Sequence, residues 1–496
     1  MSLAATPSTM KPGTTAGKGA PARRGGGGSL ALVLLATGLP MFMATLDNLV
    51  MTNALPVIRE DLNASIEQLQ WFVNAYTLVF ASFILMAVAL GDRFGRRTVF
   101  LAGIGLFTLA SAGAALSRDP TQLIVVRALQ GLGGAGIMPL SLALLSDAVP
   151  ERRRPLAIGV WGGIAGLGVA TGPLVGGAVI EGWDWQAIFW LNVPVALLSL
   201  PFVLRCLKNS FGTRVRLDIA GLLLAGVGVL ALVFGIVRGN DAGWGSLQVV
   251  GSLALGTVLV LAFLLWERRS PAPLLPLRLF QDRSFTLANA AGFGFSFGMF
   301  GAVFLLIQYL QIVQGRSPLE AAVMTMPWTL APMVVAPLAG LLAPRAGTRA
   351  LLVAGLLLQA TGLFWLAAVL SSDTPFTQML PAFVAAGVGM GLTFAPSSTA
   401  VLANISQQDT AKASGTNSTL REIGTALGIA VLTAVFTSAG GQLTPTGYVD
   451  AVRPAIVVGG AVILASMIAA TALPAGRSAG GTRAAASGRA GQRAER

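Results

Sequence analysis

The chain has no histidine and only one cysteine, Cys206, among its 496 residues. Without imidazole there is no histidine proton relay, and most transition-metal sites fall away, so no metal centre is expected. A single thiol cannot close an intrachain disulfide. Charge is also scarce: Asp, Glu, Lys and Arg make up 11% of the residues, against roughly 25% in soluble domains. No cluster of nucleophile and base is evident, which argues against an enzyme. The run "GLGGAG" at 131–136 lies within an apolar segment rather than between a strand and a helix, so it is not a nucleotide-binding turn. An ATP-driven pump is thereby disfavoured.

What is abundant is apolar. Hydrophobic residues make up 54% of the chain, mean hydropathy is +0.74 and there are 61 glycines. Apolar runs of about 20 residues, the length that crosses ~30 Å of hydrocarbon, recur from end to end. The fold class expected is an all-α polytopic membrane protein, with glycine allowing close helix packing in lipid. Reading between charged and Pro/Gly breaks gives fourteen spans, at 30–56, 69–90, 98–117, 121–147, 155–180, 186–206, 217–237, 246–266, 285–313, 319–343, 349–370, 376–403, 413–438 and 453–473.

The net charge of +13 would suggest nucleic acid in a soluble protein. Here its distribution is topological, and no nucleic-acid partner is expected. With the N-terminus in the cytoplasm, 26 of the 33 Lys and Arg fall on the cytoplasmic side and five outside. Slipping by one span would scramble this asymmetry, so both termini are expected inside. Residues 1–29 read as a disordered cytoplasmic tail and 475–496 as a basic cytoplasmic tail. A signal peptide is disfavoured, because the first apolar stretch runs on without a convincing cleavage site.

Away from the span ends, four charged side chains remain within the spans: Asp47, Arg127, Arg421 and Glu422. An ionised Asp or Arg at the centre of a span costs at least ~2.5–3.5 kcal/mol, so each needs a partner or a purpose. Asp47 and Arg127 have similar depths on their spans, which allows a pair. Gln130 lies one turn from Arg127 on the same face. Arg421 points ~100° away from Glu422 on a helix and is not its obvious partner.

The two halves echo each other. Leu90, Arg93, Gly95 and Arg97 after span 2 match Leu342, Arg345, Gly347 and Arg349 after span 10. Gly159, Gly168 and Gly172 of span 5 fall against Gly415, Gly424 and Gly428 of span 13. This suggests an N-terminal six-helix bundle at 30–206, a linker with two additional helices at 207–284, and a C-terminal six-helix bundle at 285–474. Duplicated halves about a central site are a usual secondary-transporter architecture.

These segments resemble known motifs. "VALGDRFGRR" at 88–97 resembles motif A of the major facilitator superfamily, with Val88 where the family usually has Gly. "RALQGLGGA" at 127–135 resembles motif B, and "GVATGPLVGG" at 168–177 resembles motif C, the antiporter motif. "LDNLVMTNALP" at 46–56, "WDWQAIFWLNVP" at 183–194 and "ASGTNSTLREIGTALG" at 413–428 resemble segments of the fourteen-span drug:proton antiporters. The resemblance implies the major facilitator fold and a proton-coupled antiporter exporting drugs or other lipophilic, cationic small molecules across the cytoplasmic membrane. It implies a proton gradient and no cofactor, with small-molecule substrate, protons and the lipid bilayer as partners and a functional monomer. A dedicated exporter of one endogenous metabolite or antibiotic is the alternative, and a proton-coupled uptake symporter a further one.

By the same resemblance, Gly91, Asp92, Arg93, Gly95, Arg96 and Arg97 form a cytoplasmic gate between the halves. Gly91 and Gly95 would permit its tight turn. In the antiporter motif, Gly168, Gly172 and Gly176 would let another helix approach closely, Pro173 would kink the span, and Gly177 completes the pattern. Asp47, Arg127 and Glu422 are the expected proton-coupling residues. Hydrocarbon favours a neutral acid and a neighbouring guanidinium favours the carboxylate, so Asp47 could release a proton when a cation arrives. A static Asp47–Arg127 bridge is the competing reading, and a satisfied polar residue at the half–half interface is that for Glu422. Asp47, Asn74, Tyr76, Gln130, Gln308, Gln311 and Trp328 are the expected substrate-cavity residues, where aromatic faces suit lipophilic cations.

Overall fold

A computed structural model describes residues 30–150, 153–212, 218–271, 273–405 and 409–474. The tails assigned to 1–29 and 475–496 lie outside the described residues. Within them, fourteen helical spans are long and apolar enough to cross a membrane.

The first bundle comprises α1 (Leu30–Leu62), α2 (Ile66–Phe94), α3 (Arg96–Ala115), α4 (Pro120–Ala148), α5 (Arg154–Gly182) and a broken sixth span, α6 (Ala187–Trp190) with α7 (Asn192–Cys206). Then follow α8 (Ile219–Ala242) and α9 (Leu247–Glu267), packed on each other. The second bundle comprises α10 (Arg283–Gln308), continued by a π-helical turn at Tyr309–Val313, and α11 (Pro318–Ala346), α12 (Thr348–Val369), α13 (Phe376–Leu402), α14 (Thr410–Ser438) and α15 (Pro445–Thr471). The last helix starts at Pro445 rather than near 453, because the Thr444 side chain accepts from Gly447 N and caps it. The first runs past Pro56 to Leu62.

The sixth span breaks for a local reason. In a continuous helix Pro194 would offer no N–H to the carbonyl of Trp190 and its ring would crowd that carbonyl. The hydrogen-bond ladder lapses at Leu191, whose backbone stays helical (φ −57°, ψ −31°), and Asn192 opens α7.

The duplication is geometric. Both α2 and α11 begin with a capping box, Ser65 with Gln68 and Ser317 with Glu320. Both end at a glycine with positive φ, Gly95 (104°) and Gly347 (83°), which links directly to the next helix. Gly168 of α5 packs on the backbone of α1 at Phe42, and Gly424 of α14 packs on the backbone of α10 at Phe293. Two seams join the bundles, α2 with α14 and α5 with α11, and exchanging the paired helices turns one seam into the other. α8 lies against both α2 and α14.

The Gly95 turn and the ends of α4 and α7 share one end of the molecule, the basic end. The starts of α2 and α11 share the opposite, acidic end.

Candidate functional site

Asp47 is 4% exposed and Arg127 fully buried. Arg127 Nη1 donates to Asp47 Oδ2 at 2.5 Å and to Gln130 Oε1 at 2.8 Å. The other carboxylate oxygen, Oδ1, accepts from Gln130 Nε2 at 3.0 Å and from Asn192 Nδ2 at 2.7 Å. Both amides also donate to Ser111 Oγ. The sequence-expected pair is therefore the centre of a network drawn from α1, α3, α4 and α7. A buried ion pair needs this surplus of donors, because Coulomb attraction alone does not offset the desolvation of both charges.

Arg127 also grips α2. Its Nε donates to the Phe72 carbonyl at 3.0 Å, and its guanidinium lies 4.6 Å from the centre of the Tyr76 ring. Any change in charge at Asp47 is thus one residue removed from a helix of the seam.

On α14, the two neighbouring charges face apart as helical geometry requires. Gly415 packs on Leu85 of α2, Thr419 Oγ1 donates to the Ala81 carbonyl, and Ala426 joins Leu78 in an apolar cluster. Glu422 lies on that same stripe, on the seam between the bundles. Arg421 turns toward α10 and α13, its guanidinium 3.9 Å from the centre of the Phe394 ring.

The motif C glycines pack as expected. An added Cβ at Gly172 would sit 2.9 Å from Leu49 Cβ, and one at Gly176 3.1 Å from Val50 Cα, both on α1. Gly177 instead meets α11 across the seam, with Leu319 Cα 2.6 Å from an added Cβ. Asn53 Nδ2 donates there to the carbonyls of Pro173 (3.3 Å) and Pro318 (3.0 Å), and Gln311 Nε2 donates to Asn53 O at 2.9 Å. This closes the acidic end of the α5–α11 seam. Toward the basic end, Gly162, Gly163 and Gly166 share roughly the same face of α5 as Gly177 but meet nothing among the described residues, and neither does Gly340 of α11. The seam is shut at one end and parted at the other.

The motif A turn is internal to the first bundle and its trailing segment. Asp92 accepts from Arg96 Nε at 2.9 Å, Arg96 Nη1 reaches Asp147 at 2.8 Å, and Arg96 N donates to Ser210 O at 2.8 Å. Arg97 donates to the Leu204 and Leu207 carbonyls, and Arg93 lies over Phe94. Gly95 makes the turn, but Gly91 does not: it is helical, and its missing side chain admits Leu140 of α4.

Of the residues expected to line one cavity, Asp47, Gln130 and Tyr76 gather round Arg127, and the others lie apart from them. Asn74 and Tyr76 are buried on α2, with Tyr76 against Arg127. Gln308 is buried and donates to Phe304 O of its own helix. Gln311 belongs to the acidic-end closure, and Trp328 packs on Phe383 at 6.0 Å. Sequence reasoning missed Ser111, Asn192 and Asn53. Asn192 stood in plain view in "FWLNVP", whereas Ser111 carried no signal.

The profile of the Major Facilitator Superfamily matches residues 37–429. The multidrug resistance protein Stp of Mycobacterium tuberculosis is 37% identical over 406 residues, covering 82% of this chain and 75% of that protein. The tetracenomycin C resistance and export protein of Streptomyces glaucescens is 33% identical over 425 residues, covering 85% and 79%. Among solved structures, a bacterial homologue of the human lysosomal transporter Spinster, in an inward-facing and unoccupied conformation, superposes with a TM-score of 0.65 at 17% identity over 89% of this chain and 96% of that one.

Proposed function

The chain belongs to the major facilitator superfamily, as a multi-pass transporter rather than an enzyme, and we propose that it exports drugs or other lipophilic small molecules in exchange for protons. The relatives named for multidrug resistance and for tetracenomycin C resistance and export support the export reading. The observation that carries proton coupling is the link from Asp47 through Arg127 to α2. With Asp47 ionised, the guanidinium is held between the carboxylate, Gln130 and the α2 backbone. A proton on Asp47 removes the charge that anchors Arg127, and the grip on Phe72 O and Tyr76 loosens. Because α2 forms a seam with α14, the proton biases how the bundles meet, and Glu422 on that seam is the second coupling carboxylate. Proton and cargo thus alternate without a bound cofactor.

The basic end faces the cytoplasm in this reading, with both termini inside, as the charge asymmetry supports. The parted α5–α11 seam then opens inward. The protein works as a monomer in the cytoplasmic membrane. A single dedicated substrate remains the second reading, favoured by the relative named for one antibiotic.

The test is dye efflux from proteoliposomes containing the full chain under an imposed pH gradient. Ethidium should leave against its gradient and stop when a protonophore collapses the pH difference. Undiminished efflux after collapse would refute proton coupling. Labelling of native Cys206, half-buried at the basic end, by an impermeant maleimide in inverted but not right-side-out vesicles checks the orientation.

A further inference from the structure

Arg421 is the charge within the spans that the coupling network leaves unused. Arg127 has a carboxylate, an amide oxygen and a carbonyl as acceptors. Arg421, eleven residues into α14, has no side-chain hydrogen-bond or ion-pair partner among the described residues, and Glu422 beside it faces the α2–α14 seam. Its environment is nonetheless built. Phe394 of α13 and Phe295 of α10 lie 3.9 and 5.8 Å from the guanidinium carbon, and the two rings meet edge to face at 82°. A guanidinium stacked on a ring keeps its in-plane N–H groups free, and that fork matches a carboxylate.

Polar groups converge beside it. Asn417 lies one turn before Arg421 on α14, and its Nδ2 is fixed by Asn289 Oδ1 at 3.0 Å. The Ser397 hydroxyl is buried, on a residue only 4% exposed, and has no partner among the described residues. Gly292 marks the point of convergence: a Cβ there would be 3.5 Å from Arg421 Cγ, 3.5 Å from Asn417 Nδ2 and 3.6 Å from Ser397 Oγ. Arg421 itself is half-exposed rather than sealed.

We propose that Arg421, Asn417 and Ser397 form a subsite for a carboxylate carried by the transported molecule. Glu422, about 100° round the same helix, then takes the cationic part. The cargo class is amphoteric: an apolar body with an amine or delocalised cation at one side and an acid at the other. This rests on the reading of the chain as an exporter.

The test uses rhodamine B, a cationic dye with a free benzoate, and its ethyl ester, which is a cation alone. Binding of each is measured without any gradient to the full chain in phosphatidylcholine vesicles. Replacing a fork that makes charged hydrogen bonds shifts an affinity by about tenfold or more. Arg421→Gln should therefore move the ratio of the two dissociation constants about tenfold against rhodamine B, and Arg421→Lys should move it less. Ser397→Ala should move it in the same direction, which guards against Arg421→Gln failing to fold. An unchanged ratio in folded Arg421→Gln overturns the subsite. So does competition by added phosphatidylglycerol that Arg421→Gln abolishes, since the pocket would then serve a lipid phosphate. Failure of the exporter reading is separate: the dyes would bind with the expected ratio yet not move under a pH gradient.

Discussion

At the scale of single residues, the Asp47–Arg127 pair is unequal in what its members can lose. Asp47→Asn keeps the shape but leaves Arg127 buried with no counter-ion, and breaking a buried pair from one side costs about 3–5 kcal/mol. The variant should unfold at a lower temperature in detergent and lose pH-driven efflux. Adding Arg127→Gln should restore much of the thermal stability, because two neutral amides can share the same hydrogen bonds, yet leave efflux lost. A static bridge predicts otherwise: the double variant would regain transport along with stability. This pair was legible in the sequence because a charge in an apolar run is conspicuous and only four such charges exist. Its supporting cast was not. Ser111 and Asn192 cost little in a helix, follow no period, and acquire meaning only when α3 and α7 fold against α1.

At the scale of elements, glycines decide how near two helices come, and their consequences differ by where they sit. Gly177 abuts α11 across the seam, and an added methyl would press on backbone at Leu319 and Pro318. Overpacking of this kind costs about 1–3 kcal/mol, and the cost falls only on the state with the acidic end closed. Gly177→Ala should therefore move the population toward an open acidic end, by about tenfold for each ~1.4 kcal/mol. Spin-label distances between the acidic ends of α5 and α11 would register it, and an unmoved distribution would count against the seam as a gate. Gly428→Ala meets the carbonyl of Phe297 within the second bundle; it should lower the unfolding temperature and leave those distances alone. Fourteen spans and the equivalence of α2 with α11 could be read from apolar run length and loop motifs. Span edges could not, since Thr444 starts a helix well before its apolar stretch begins. Nor could the role of Gly91, because turn and packing glycines look alike in a string of letters.

At the scale of the whole molecule, the two added helices are more than a spacer. On α8, Arg238 pairs with Glu67 of α2 at 3.0 Å, and two residues on, Asn240 donates to the Ala434 carbonyl of α14 at 2.5 Å and to Thr437. The insert thereby clasps both bundles at the acidic end. If the bundles part there during transport, α8 must let go of one of them. The ion pair is partly exposed, at 35% and 22% for its two side chains, and such pairs are worth about 0–1 kcal/mol. Arg238→Gln should accordingly speed dye exchange at shallow pH gradients, by up to about fivefold for 1 kcal/mol off the barrier. Initial rates in proteoliposomes measure this, and equal rates would leave the clasp without a part in opening. One proton descending one pH unit releases about 1.4 kcal/mol, slightly more than the clasp holds. In the proposed proton-driven cycle the insert would act as a threshold, biasing the acidic end toward closure in a de-energised membrane so that less leaks through it.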